Sequence, residues 1–226
     1  QAISPRTKAI IPVHLNGRLC DMERLAAIAQ KHNLLIIEDA AQALGATFDG
    51  KKAVSFGLVG CFSFYPAKIM GTAGDGGLVS TNDSEIAAKI RVLRDVGQER
   101  ATGNILCYGY NSRLDNLHAA ILDVKLKYVP QWNERRRELA ALYDRGLSGL
   151  SYLKLPPPPQ SQGHFFDVYQ NYVILAQDRD GLAAHLRECG IELLISWPKP
   201  MHHHEALKLG HFSLPVTERI SNEVLS

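Results

Sequence analysis

The chain has 226 residues, 46% of them hydrophobic and 21% charged, and a formal net charge of +2. That balance supports one sizeable core, or a large and a small domain, and excludes a disordered chain. It also leaves no basic stripe for nucleic acid: Arg135-Arg136-Arg137 is followed by Glu138 in a helical pattern and reads as a solvated helix face.

No apolar run reaches the length of a membrane span, and the polar opening at residues 1–8 lacks the pattern of a signal peptide. Cys20, Cys61, Cys107 and Cys189 show no CxxC and no zinc-like spacing. Reduced thiols in a cytoplasmic protein are therefore expected.

In chain order, Ala9-Ile10-Ile11-Pro12-Val13 suits a short buried strand. Asp21 can cap a helix with Met22, Leu25, Ala26, Ile28 and Ala29 at helical spacing. Leu34-Leu35-Ile36-Ile37 is a continuous apolar run ending in Glu38-Asp39, which suits a parallel strand covered on both faces. Cys61 to Tyr65 and Gly77 to Thr81 give two further strands, followed by a helix capped near Asp83 or Ser84. From Leu114 to Leu147 the pattern is helical, with a break expected at Pro130.

After Gly149 the texture changes. Residues 156–164 look like an exposed loop, then Tyr172 to Leu175 reads as a strand, Asp180 to Glu188 as a helix and Ile191 to Ile195 as a strand. The expected architecture is α/β. A partial large domain with a mostly parallel sheet spans 1–113, a long connecting helix 114–148, and a small α+β C-terminal domain 149–226.

Three features fall at or after the C-terminal ends of expected strands, where open α/β sheets bind ligands. Asp39 follows the apolar run, although an acid there can equally cap a turn. Lys68 closes Ser63-Phe64-Tyr65-Pro66-Ala67-Lys68 and precedes Gly71-Thr72-Ala73-Gly74-Asp75-Gly76-Gly77. Those glycines allow close backbone approach to a ligand, or simply make a turn. Gly109-Tyr110-Asn111-Ser112-Arg113 offers donors at a helix entrance, suited to an anion or to ordinary capping. His202-His203-His204 offers three possible metal ligands, but adjacent residues converge poorly and no acid or cysteine is spaced to join them. No metal site is expected there.

Taken together, Ile37-Glu38-Asp39-Ala40-Ala41-Gln42-Ala43, Phe62 to Lys68, Gly74 to Gly77 and Gly109 to Leu114 resemble the DegT/DnrJ/EryC1/StrS family of sugar aminotransferases. The resemblance implies fold type I, pyridoxal 5′-phosphate (PLP) as cofactor, and transfer of an amino group, usually from glutamate, to a nucleotide-linked keto sugar. Lys68 matches the lysine that holds the cofactor aldehyde and shuttles the substrate proton. Asp39 matches the partner of the pyridine nitrogen. Gln42 matches a residue beside the cofactor ring, and Ser63 a phosphate ligand.

Asn111 matches a phosphate contact given to the neighbouring subunit, so a homodimer is implied. His14, Tyr65, Arg113 and His202 are implied substrate-side residues, with a structural hydrogen bond equally open for His14. Ala67 and Ile69 stand where the family often has glycine and asparagine, which takes a polar group from beside the lysine. Family members are longer, so the chain is expected to be truncated at both ends, stopping inside a terminal helix. The rival readings are a non-catalytic, regulatory PLP-binding protein and an inactive fragment of an enzyme.

Overall fold

A computed structural model describes residues 2–160 and 163–226. By compactness the chain forms two units, one running to Arg137 and including Gln160–Gln170, the other made of Glu138–Pro159 and Asn171–Ser226.

In the first unit, β1 (Ala9–Ile10) leads through a short turn to α1 (Met22–His32). The Asp21 carboxylate accepts the Arg24 N–H at 3.1 Å, and Asn33 ends the helix in the left-handed conformation. Met22 and Ala29 face the core. Next come β2 (Leu35–Asp39), the short pair β3 (Thr47–Phe48) and β4 (Lys51–Lys52), then β5 (Val59–Ser63) and β6 (Gly77–Ser80).

The main sheet has the order β1-β2-β5-β6. Pairing is parallel up to β5 and antiparallel for β6. The sheet is thus the mostly parallel one expected, but β2 is not covered on both faces. Leu35 is half exposed, whereas Ile36 and Glu38 are buried, so the strand alternates and places a carboxylate in the core.

α2 (Ser84–Leu93) is capped by Asp83, which accepts the N–H groups of Glu85 and Ile86. The expected long helix is two: α3 (Asn116–Leu126) and α4 (Val129–Leu147). The break precedes Pro130, which sits in the first turn of α4, where its missing N–H has no intrahelical partner to lose. Leu122 and Val129 are buried in the first unit's core, so α3 and the start of α4 belong to it rather than forming a free connector.

Arg136 and Arg137 overturn the solvated-face expectation. The Arg136 guanidinium donates to the carbonyls of Tyr169 and Gln170, and burial lowers its pKa. Arg137 is buried, donates to the carbonyls of Asp167 and Gln160, and lies 4.1 Å from the centre of the Phe166 ring. Only Arg135 of the three is exposed.

In the second unit, β7 (Leu153–Lys154) is the first strand. The intervening β8 (Phe165–Phe166) is part of the first unit and pairs antiparallel with β3, so the proline-rich stretch does not open an uninterrupted second domain. The second unit continues with β9 (Ile174–Ala176), α5 (Arg179–Glu188), α6 (Pro215–Glu223) and β10 (Val224–Leu225). Its sheet, β10-β9-β7, is antiparallel throughout.

Two expectations fail in this unit. Residues 191–195 form no strand, and the chain ends in β10 rather than inside a helix. Buried Arg179 closes this end by donating to the carbonyls of Ser221 and Val224. All four cysteines are free, and no helix among the described residues is long and apolar enough to cross a membrane.

Candidate active site

Parallel pairing brings the C-terminal ends of β2 and β5 side by side, with Asp39 opposite Cys61 and Ser63 two residues beyond. The Asp39 backbone is fixed on both sides, its N–H donating to Pro12 and its carbonyl accepting from His14, each at 2.9 Å. Its carboxylate accepts the Ala41 N–H at 3.0 Å. Burial, followed by the Asp39 charge, pushes the Cys61 thiol above its ordinary pKa. The Ser63 hydroxyl accepts the Tyr65 N–H at 3.2 Å.

Lys68 lies on the turn after β5. Its N–H donates to Tyr65 O at 2.9 Å, and the Thr72 N–H returns to Phe64 O at 2.8 Å. Gly71 is required for this closure, because a Cβ there would lie 2.3 Å from the Pro66 carbonyl oxygen. Among the described residues the Lys68 amine makes no hydrogen bond or ion pair, although the residue is part-buried. Tyr65 beside it is about half exposed. Ile69 departs from the expectation drawn from the sequence: it is 7% exposed and packs into the core beneath the turn, so it removes nothing from the face that carries Lys68.

Gln42 follows Asp39 in the turn after β2. Its side-chain oxygen accepts the Asn16 N–H at 2.7 Å. The structure thus gives Gln42 a tie to the chain around Asn16, which no spacing in the sequence announces.

His14 is fully buried, and of its two open readings the geometry matches the structural one. Its Nε2 lies 3.0 Å from the Glu38 carboxylate, and its Nδ1 accepts the Cys20 N–H at 3.2 Å. Burial alone would hold the ring neutral, but Cys20 and Glu38 beside it reverse this and raise its pKa to about 9.

Glu38 also accepts the N–H groups of Val54, Phe56 and Gly57 at 2.9, 2.7 and 2.6 Å. Burial opposes its charge, yet His14 and those amides outweigh burial and hold the carboxyl below its usual range. The motif pattern gave Glu38 no role, although alternation along β2 places it on the face opposite Asp39, toward the core.

Asn111 and Arg113 lie elsewhere in this unit. The Asn111 amide oxygen accepts from Arg113, and Arg113 and Arg100 both donate to buried Asp95, at 3.0 and 2.7 Å. The Arg100 bond, ahead of the opposing effect of burial, holds Asp95 below the usual carboxylate range. Asn111 and Arg113 border a cleft of about 1040 Å³ with Leu78, Ser80, Ile90 and Arg94. The Arg113 side chain thus bonds to both Asn111 and Asp95, and neither Asn111 nor Arg113 bonds to Lys68 or Asp39 among the described residues.

In the second unit, buried His202 lies 3.1 Å from Glu218, which also accepts the Leu214 N–H at 2.9 Å. His203 lies 3.9 Å from the same oxygen. An acid partner for the histidine run therefore exists, brought sixteen residues back by α6, and it already serves as acceptor to His202 and to the helix start.

Asp39 thus ends β2, and Lys68 sits five residues past the end of the adjoining parallel strand β5. The DegT/DnrJ/EryC1/StrS aminotransferase family model matches residues 1–226, and the chain belongs to that family. A pleiotropic regulatory protein of Geobacillus stearothermophilus is 43% identical over 229 residues, covering all of this chain and 61% of its own length. The dTDP-3-amino-3,4,6-trideoxy-alpha-D-glucose transaminase of Streptomyces venezuelae is 41% identical, covering all of this chain and 59% of its own.

Among solved structures, S. venezuelae DesV in complex with a ketimine intermediate superposes with a TM-score of 0.92 at 41% identity, covering 99% of this chain and 60% of that one. NtdA of Bacillus subtilis, with bound cofactor PMP, gives 0.87 at 30% identity, covering 99% and 52%. The chain spans about three-fifths of the length of the curated relatives it matches.

Proposed function

We propose that this protein is a PLP-dependent aminotransferase that passes an amino group from glutamate to a nucleotide-linked keto sugar, acting as a cytoplasmic homodimer. The observation that carries this reading is the placement of Asp39 at the end of β2 and of Lys68 on the turn after the adjacent parallel strand β5. Relatives named as transaminases acting on dTDP- and UDP-linked amino sugars support the substrate class.

The donor set fits the cofactor: one part-buried amine without a partner among the described residues, one carboxylate at a fixed strand end, and one hydroxyl at the end of the adjoining strand. When bound, PLP supplies the electron sink that transamination needs. Lys68 would hold its aldehyde carbon and carry the proton to and from the substrate carbon. Asp39 would keep the pyridine nitrogen protonated. Ser63, with Asn111 of a second copy, would bind the phosphate, and Gln42 would border the ring. Tyr65, Arg113 and His202 remain the proposed substrate-side residues, whereas His14 acts from behind through Glu38.

Borohydride reduction of the full-length protein with PLP should bleach its visible band and fix the cofactor mass on the peptide holding Lys68. Lys68→Ala should abolish both fixation and turnover, the latter by about 10³-fold or more. Fixation on a different lysine overturns the assignment.

A second reading is favoured by one observation: two of the relatives carry the names pleiotropic regulatory protein and sensory transduction protein. A regulatory protein would bind PLP at Lys68 yet transfer no amino group from glutamate to dTDP- or UDP-linked keto sugars, and turnover decides between the two.

A further inference from the structure

Gln170 is buried, and its carboxamide brackets Lys68 from below. The side-chain oxygen accepts the Ile69 N–H at 2.9 Å, and the side-chain nitrogen donates to the Ala67 carbonyl at 2.8 Å. Because one partner is a backbone donor and the other a backbone acceptor, the amide orientation is fixed. Both peptide groups flanking Lys68 are therefore held by one side chain, more than 100 residues away in sequence.

Gln170 is itself pinned. Its backbone N–H donates to Asn16 O at 3.0 Å, and its carbonyl accepts from Arg136 at 3.2 Å. Asn16 in turn donates its N–H to Gln42, in the turn that follows Asp39. A continuous run of hydrogen bonds thus joins the turn after Asp39 to the turn of Lys68, by way of Gln42, Asn16 and Gln170. The approach is close at Gly17, where an added Cβ would come within 2.9 Å of the backbone nitrogens of Tyr169 and Gln170. This contact excludes any larger residue at position 17 and seats the segment against the turn.

We infer that Gln170 is a positioning residue: it fixes the turn that carries Lys68 and sets the spacing of that lysine from Asp39. The inference rests on the reading of Lys68 as the cofactor lysine. An acid and an amine that must reach opposite ends of one ring need that spacing held, since small misplacements of reacting groups are costly. A buried, neutral amide does this without adding a charge beside the lysine.

The test uses the full-length protein and two variants. Gln170→Leu removes both bonds at similar size; Gln170→Glu keeps the acceptor for Ile69 and loses the donor to Ala67. Without cofactor, Gln170→Leu should speed hydrogen exchange of the Ile69 amide by at least about 10-fold, and Gln170→Glu should restore most of that protection. With PLP, Gln170→Leu should lower kcat by about 100-fold, leave KM for glutamate within about twofold, and move the pH midpoint of the visible band. Gln170→Glu should fall between the unaltered protein and the leucine variant.

Cofactor fixed on Lys68, with kcat and band midpoint unchanged in a folded Gln170→Leu protein, overturns this inference alone. If the leucine variant does not fold, unchanged kcat and midpoint in Gln170→Glu overturn it instead. Fixation on another lysine overturns the functional reading and, with it, the positioning role of Gln170, while Ile69 exchange still reports whether the clamp forms.

Discussion

The turn around Lys68 and the loop around Asn111 are both rich in small and polar residues and both carry backbone hydrogen bonds, yet their side-chain ties differ in kind. The Lys68 turn is tied from the core side by a buried carboxamide and by backbone bonds, with Ile69 and Met70 sealed beneath it. The Asn111 loop has backbone bonds between Tyr110 and both Leu93 and Val96, but its side-chain ties run from Arg100 and Arg113 to one carboxylate, Asp95, while Tyr108 is fully exposed and Tyr110 largely so. Neutral hydrogen bonds in a packed core persist in salt; guanidinium–carboxylate ties with exposed arginines weaken in it. The first arrangement suits a group that must keep its place, the second a loop whose outer face is open to a partner.

Glu38 tests the rigid side of this contrast most severely. Glu38→Ala leaves His14 and three backbone N–H groups without their acceptor, and should cost about 3–5 kcal/mol in denaturant unfolding. A loss under about 1 kcal/mol would show that the core beneath Asp39 does not depend on it.

Acid should reach the same pair more gently. The folded pKa of Glu38 lies below the unfolded value of 4.5, so its stabilisation is complete above that pH. It is lost as pH falls through the folded value. The Tm should therefore drop on acidification below about 4.5 and drop less in Glu38→Gln. Equal pH slopes in both proteins would show that Glu38 does not govern the acid limit.

The smallest expected effect lies on the looser side. Asp95→Asn should speed amide exchange across residues 96–113 with little change at Ile69, and about 1 M salt should do the same in the unaltered protein. Equal loosening of both regions would erase the distinction between them.

Much of the fold was legible from local pattern. The apolar run at 34–37, the capping acids Asp21 and Asp83 and the strand at 77–80 act through neighbours close in sequence, so their spacing carries them. The same holds for Asp39, Ser63 and Lys68, because the end of a strand can be located from the strand itself. What failed was long-range. Residues 191–195 are apolar enough for a strand, but β10 pairs with β9 and the segment meets the chain's end only at Leu194, which exchanges two backbone hydrogen bonds with Ser226. Arg136 and Arg137 look like a surface patch until the returning segment 167–170 places carbonyls before them.

The sequence by itself determined an α/β chain with an acid at one strand end and a lysine in the turn after another, since hydrophobic period and strand termination are local properties. Only the tertiary structure decided that Glu38 and His14 form a buried pair behind Asp39, that Ile69 faces the core, and that Gln170 grips both peptides beside Lys68. Those outcomes depend on which distant backbone groups meet in the folded unit, and buried polar atoms must find such partners wherever the chain brings them.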